Sequence, residues 1–204
     1  LLGLGGKGAF ELLAPGRVEA EIIPSPGSMK AKRWAMVINQ KKMDENTAQQ
    51  CAAACHRVHN VPDFINPPDD KLKLNPAVAR RYEVKWLWTE HFHNAFPGEA
   101  PSHMAEKVEH MPFLVLCNHC ANPPCVRVCP TKATFQREDG IVMMDMHRCI
   151  GCRFCMAGCP FGARSFNWKD PRPYVKENYP GYPTREIGVV EKCTFCAERL
   201  AQGL

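Results

Sequence analysis

Four short apolar runs punctuate the chain, and none is long. They are Trp34-Ala35-Met36-Val37-Ile38 behind Lys32-Arg33, Phe113-Leu114-Val115-Leu116, Ile141-Val142-Met143-Met144, and Val189-Val190 leading into Glu191-Lys192. Apolar runs of this length, bounded by polar or turn residues, predict strands. The stretches between them lack a sustained helical or alternating period. Pro15-Gly16 and Pro24-Ser25-Pro26-Gly27-Ser28 mark an irregular leader over 1–30. An insertion over 61–112 is broken by Pro62, by Asn66-Pro67-Pro68-Asp69-Asp70 and by Pro97-Gly98. Trp86-Leu87-Trp88 is its most apolar point, and reads either as local packing or as a partner-docking surface. A second Pro-rich loop covers 167–187, with Pro171, Pro173, Pro180 and Pro183. No run of eighteen apolar residues exists, so the sequence predicts no membrane-spanning helix.

Cysteine placement turns this pattern into chemistry. Behind the second apolar run stand Cys117, Cys120, Cys125, Cys129 and Pro130; behind the third stand Cys149, Cys152, Cys155, Cys159 and Pro160. The later run has the C-x2-C-x2-C-x3-C-P spacing of a bacterial [4Fe-4S] site, and the earlier one adds two residues before its third cysteine. In such sites three thiolates wrap one cluster and the fourth crosses to its neighbour. The spacing therefore predicts cluster A on Cys117, Cys120, Cys125 and Cys159, and cluster B on Cys149, Cys152, Cys155 and Cys129. Zinc ribbons pair two C-x2-C knuckles, whereas here the runs are three-plus-one, which sets zinc and a disulfide framework aside.

The two runs are an internal repeat. Thr131-Lys132-Ala133-Thr134-Phe135 after the first Cys-Pro matches Phe161-Gly162-Ala163-Arg164-Ser165-Phe166 after the second, and Asp139-Gly140 is a turn signal between the halves. Each half predicts a strand, a ligand loop and a turn of helix. The predicted fold class is α+β: tandem bacterial-ferredoxin-like modules of short strands and helices around [4Fe-4S] clusters, with long loop insertions. Residues 113–166 form the complete lobe, in which clusters replace much of the hydrophobic core. A degenerate, split lobe is predicted from 31–60 plus 188–204. Its opening strand is Lys32 to Ile38, but only Cys51 and Cys55 follow, and the slots for the first ligand fall on Glu45 or Met43, with Ala48 next. At the other end Val189 to Lys192 leads into Cys193-Thr194-Phe195-Cys196. By the same crossing rule, Cys55, Cys193 and Cys196 supply three ligands of a third cluster, C. The position beside residues 43–51 is expected to hold none, and Cys51 to be a bystander.

Charge changes little. The formal net charge is +5, but two clusters with four thiolates each bring about −2 apiece, leaving roughly +1. With no basic tract interleaved with aromatics, nucleic-acid binding is set aside. The histidines His91, His93, His103 and His110 lack a fixed ligand spacing. Leu1-Leu2-Gly3-Leu4-Gly5-Gly6 reads either as the end of a signal-peptide apolar region or as a Gly-rich terminus. Cys51-Ala52-Ala53-Ala54-Cys55-His56 resembles a c-type haem attachment with one extra residue, an alternative to the cluster role of Cys55.

Cys117-Asn118-His119-Cys120 with Asn122-Pro123-Pro124-Cys125, Asp139-Gly140-Ile141-Val142, Cys149-Ile150-Gly151-Cys152-Arg153 and Lys192-Cys193-Thr194-Phe195-Cys196-Ala197-Glu198-Arg199-Leu200 together resemble the multi-cluster iron–sulfur subunits of the DMSO reductase superfamily. Arg164-Ser165-Phe166-Asn167-Trp168 with Asp170-Pro171-Arg172-Pro173 is similar to the subunit of the sulfite-reduction-associated membrane complex. The resemblance covers about residues 31–204 and departs from the family in the lost ligands of the first motif. It implies an exported, twin-arginine-type leader and a peripheral place on the extracytoplasmic face of the membrane. It further implies a hetero-oligomeric complex with an integral-membrane quinone-interacting subunit and a cytochrome or other redox subunit. A fully thiolate-ligated cluster has no open iron for substrate, so the expected role is single-electron transfer, not catalysis by this chain alone. The competing class is a catalytic iron–sulfur enzyme that binds substrate at an incompletely ligated cluster C.

Overall fold

The computed structural model describes residues 27–99 and 103–204, so the readings made on Leu1 to Pro26 lie outside the described residues. Six short strands pair as three antiparallel ribbons: β1 (Leu87–Glu90) with β2 (Phe113–Leu116), β3 (Thr134–Gln136) with β4 (Val142–Met144), and β5 (Ser165–Phe166) with β6 (Val190–Glu191). The helices are α1 (Glu45–Val58), α2 (Pro76–Tyr82), α3 (Phe92–Ala95), α4 (Glu106–Glu109), α5 (Pro124–Arg127), α6 (Phe154–Ala157) and α7 (Ala197–Gln202). The architecture is α+β with short elements, as the sequence pattern predicts.

The pairing follows the repeat. The strand after each Cys-Pro pairs with the strand that leads into the next cysteine run: β3 with β4, and β5 with β6. The first of these hairpins closes through the Asp139-Gly140 turn, where Gly140 has φ +83° and the Asp139 side chain accepts from the Ile141 N–H at 3.3 Å. In the second, residues 167–189 are looped out between the two strands.

That loop supplies much of the apolar core. Tyr174 and Tyr182 from it pack with Val61, Phe64, Val84 and Trp86 of the insertion, and Cys55 lies against the cluster. Trp86 is 1 % exposed and donates its indole N–H to Glu191 at 3.0 Å, which settles the choice posed by the Trp86-Leu87-Trp88 run in favour of packing. A second, smaller core consists of Cys125, Val142, Cys155 and Val190. Two of its four buried residues are cysteines, the composition expected where cofactors stand in for side chains.

Helix α1 occupies the place of a first ligand loop. Asp44 caps it, its carboxylate accepting from the Thr47 N–H at 2.7 Å, and those Thr47 hydrogen bonds hold the Asp44 carboxyl below its usual range. Ala48 is fully buried under the first turns. The helix stops at His59, and Asn60 follows in the left-handed region at φ 51°. Asn60 is buried and clamps the Pro-rich loop, donating to the carbonyls of Tyr179 (2.9 Å) and Tyr182 (2.5 Å) and accepting from the Tyr179 N–H at 2.7 Å.

One predicted element is absent. Lys32 to Ile38 forms no strand. The segment is instead fastened by side chains, Trp34 donating its indole N–H to Asp139 at 3.1 Å.

Residues 31–197 make one compact unit; the other, in its described part, joins residues 27–30 to 198–204, where the Met29 N–H donates to the Leu200 carbonyl at 3.0 Å. No helix among the described residues is long and apolar enough to cross a membrane.

Candidate metal centres

Each cysteine run is built the same way. The residue before the second cysteine stands in the left-handed region in all three runs that carry a C-x2-C: His119 (φ 40°), Gly151 (φ 68°) and Phe195 (φ 58°). That conformation turns the chain sharply, so that successive backbone N–H groups and thiols face one concavity. Gly151 has a second reason for its identity, since a Cβ there would stand 2.5 Å from the Gly188 carbonyl oxygen. The third residue after the fourth cysteine repeats too, with Lys132 at φ 55° and Gly162 at φ 62°. One-turn helices α5 and α6 carry the third cysteines, Cys125 and Cys155, and aim them inward; both are buried.

Two cavities result. The first is lined by Cys117, Cys120, Cys125 and Cys159, with Pro123, Pro124, Pro160, Val142 and Ala163 as its apolar wall and Arg164 beside them. The second is lined by Cys129, Cys149, Cys152 and Cys155, with Ala133, Met144, Ile150 and Val190. Cys159 thus belongs to the concavity of the earlier run, and Cys129 to that of the later one. The thiols feel one another accordingly. Burial raises the Cys120 thiol, and Cys117, Cys125 and Cys159 raise it further. Burial also raises Cys155, where Cys149 and Cys129 push upward against the lowering effect of Arg164. Cys129 is the exception. Burial pushes it up, but hydrogen bonds from Thr134, Thr131 and Ala133 outweigh that and hold it low.

A third group forms where α1 meets the loop after β6. Burial drives the Cys55 thiol up to about 12, with Cys193 and Cys196 adding to the rise. Burial likewise raises Cys193 to about 11. Thiols held this high stay protonated until a metal displaces the proton. Cys51, one turn before Cys55 on α1, enters none of these groupings. The ring of His56 is turned toward the Leu87 backbone and half-buried, and that burial lowers its pKa.

The surroundings contain charged residues that the cysteine spacing did not single out. Lys192 is fully buried and donates from Nζ to the carbonyls of Val142 and Cys193. Burial lowers its pKa, while Cys117, Cys193 and Cys125 raise it. Arg164, 5 % exposed, donates to Thr134 Oγ1 at 3.2 Å. His119 is neutral: burial, then Lys192 and Arg164, push its pKa down to about 3. Its Nδ1 accepts from the Val142 N–H at 2.9 Å. A signal for the two cations was present, since each abuts an apolar run that leads to or from cysteines.

The donor set is four thiols around each of two concavities with mostly apolar walls. Among the described residues no three His, Cys, Asp or Glu side chains converge tightly enough to hold a single metal ion. A tetrahedral zinc site would draw its sulfurs to about 3.8 Å from one another. A cuboidal group, which carries its iron atoms out toward the thiolates, fits thiols that line a concavity without converging on one point.

Comparison with known proteins agrees. A family described as 4Fe-4S dicluster domain matches residues 108–177. The chain is 38 % identical, over its full length, to the Hdr-like menaquinol oxidoreductase iron-sulfur subunit 1 of Archaeoglobus fulgidus, and spans 74 % of that protein. It is 38 % identical over 174 residues to the menaquinone reductase iron-sulfur cluster-binding subunit of Nitratidesulfovibrio vulgaris, a match covering 83 % of this chain and 61 % of that one. The thiosulfate reductase electron transfer subunit of Salmonella typhi is 42 % identical over 106 residues, 51 % of this chain and 46 % of its own. Cysteine placement, cavity lining and these likenesses converge: the chain carries [4Fe-4S] clusters and belongs to the iron–sulfur electron-transfer subunits of the DMSO reductase superfamily.

Proposed function

We propose that this chain is a relay of three [4Fe-4S] clusters, handing single electrons between a quinone-site membrane subunit and an extracytoplasmic redox partner. Cluster A is assigned to Cys117, Cys120, Cys125 and Cys159, and cluster B to Cys149, Cys152, Cys155 and Cys129. Cluster C takes Cys55, Cys193 and Cys196. The observation that carries the reading is the exchange of fourth cysteines between the two cavities, which supports a paired, tandem-ferredoxin arrangement. A thiolate-ligated [4Fe-4S] cluster supplies one-electron storage. The chain's own part is to hold the sites in series and dry. Cys117 acts on Cys193, and Arg164 lines the first cavity while acting on Cys155 of the second, which supports the order C, A, B. The partners are inferred from relatives named for menaquinol and menaquinone chemistry.

Iron and acid-labile sulfide analysis of the purified complex is expected to find at least two [4Fe-4S] clusters on this chain. Stoichiometric zinc without charge-transfer absorption in the visible would overturn the assignment. The isolated chain is expected to turn over no substrate with an artificial donor, and to accept electrons from quinol only within its complex.

Cys55 is the test of cluster C. Its neighbours are Cys193 and Cys196, which favours a cluster over the haem alternative at Cys51, Cys55 and His56. Cys55→Ser is expected to abolish one EPR signal, and Cys51→Ser to leave every signal in place. A haem stain that follows the denatured polypeptide would reverse the reading, because thioether-linked haem survives denaturation and a cluster does not.

A further inference from the structure

Lys192 and Arg164 are buried cations, and among the described residues neither forms an ion pair with a carboxylate. The one buried carboxylate beside them in sequence, Glu191, is bound by Arg185 at 2.7 Å. A buried cation without an anion is unstable, because desolvation is not offset by carbonyl hydrogen bonds alone. Lys192 has two such carbonyls, Val142 and Cys193. Arg164 has the Thr134 hydroxyl and the Met144 sulfur at 3.8 Å, and its Nη2 is buried with no partner. Something negative must hold them there.

Their placement says what. The Lys192 ammonium donates to the carbonyl of Val142, a residue that lines the cavity of Cys117, Cys120, Cys125 and Cys159, and to the carbonyl of Cys193. Arg164 lines the cavity of Cys117, Cys120, Cys125 and Cys159, and its guanidinium reaches the sulfur of Met144, which lines the next cavity beside Cys155. The cations therefore alternate with the thiol groups along the series: Cys193, Lys192, Cys117 and Cys125, Arg164, Cys155.

We propose that Lys192 and Arg164 are counter-charges set between neighbouring clusters, Lys192 between C and A and Arg164 between A and B, and that they fix the relative potentials of the series. The proposal rests on the cluster assignment above. Cluster A, flanked by both cations, is the most stabilised in its reduced form, since each added electron raises the negative charge that the cations face. They are positioning residues and touch no substrate.

The test is redox titration by EPR of the full-length protein in its complex, with iron and sulfide content measured first. K192Q is expected to move cluster A to lower potential by at least a tenfold change in its reduced-to-oxidised ratio, about 59 mV for one electron, with cluster B in place. R164Q is expected to move A and B and to leave C in place. K192R and R164K, which keep the charge, are expected to hold the wild-type order. An unmoved cluster A in both glutamine variants overturns the proposal. So does an equal shift at all clusters, or a shift of the same size in the charge-keeping variants. Should the Lys192 variant fail to assemble, the Arg164 pair carries the test alone. Wild-type protein without clusters would instead overturn the cluster assignment itself.

Discussion

Glu191→Ala is expected to destabilise the protein by about 3–5 kcal/mol, the range for removing one partner of a buried ion pair. Glu191 is fully buried in β6 and meets three donors: Arg185 Nη2 at 2.7 Å, the Trp86 indole at 3.0 Å and Asn167 Nδ2 at 2.5 Å. Those donors come from the insertion and from both ends of the Pro-rich loop, so one carboxylate ties three remote segments to the strand. Arg185, 3 % exposed, extends the network to the carbonyls of His59 (2.5 Å) and Asn60 (2.9 Å), directly behind α1. Alanine would leave a buried guanidinium and two buried N–H donors without their acceptor. In a chain of this size the loss corresponds to a fall of about 10 °C in the unfolding midpoint. A fall below about 2 °C would show that the network relaxes around the gap. Arg185→Met combined with Glu191→Ala is expected to recover part of the loss, since the unpaired charge then disappears with its partner. Because the network holds the end of α1 against the strand that leads to Cys193, the cluster-C signal is expected to fade before those of A and B.

None of that network was visible in the cysteine pattern, although a trace of it was: Glu191-Lys192 stands inside an apolar lead-in strand, where two charges are out of place. The metal centres themselves were legible because their chemistry is local. Each run closes its loop within a dozen residues, and the left-handed residues before the second cysteines follow from the same spacing. Strands β2, β4 and β6 were legible for a related reason, as short apolar leads into those loops. Long-range choices were hidden. Lys32 to Ile38 has the composition of a strand yet forms none, whereas β1 comes from an insertion whose broken pattern gave no sign of a strand. Over residues 39–50, where cysteines are missing, the helix start is marked by Asp44 as the cap and Glu45 in the first turn. The larger apolar core was equally hidden, because Phe64, Trp86, Tyr174 and Tyr182 are spread over more than half the chain and share no period.

Cys125→Ser and Cys129→Ser are expected to destroy different clusters, although four residues separate them. Helix α5 accounts for the divergence. Cys125 lies inside it, facing Cys117, Cys120 and Cys159, whereas Cys129 follows its end and is drawn by hydrogen bonds toward Thr131, Ala133 and Thr134, at the wall shared with Cys149, Cys152 and Cys155. Serine offers a harder and more basic oxygen in place of a soft thiolate, a poor match to iron in a sulfide cluster. Cys125→Ser should therefore remove or convert the cluster-A signal and spare B, and Cys129→Ser should do the reverse. Cys159→Ser supplies an independent arm. It sits four residues after Cys155, yet it lines the first cavity, so its variant should group with Cys125→Ser. Ligation within each run predicts the opposite grouping, with Cys125 and Cys129 losing one signal together and Cys155 and Cys159 the other. EPR of the three variants separates the two patterns, since crossing pairs residues by the cavity they line and local ligation pairs them by their distance along the chain.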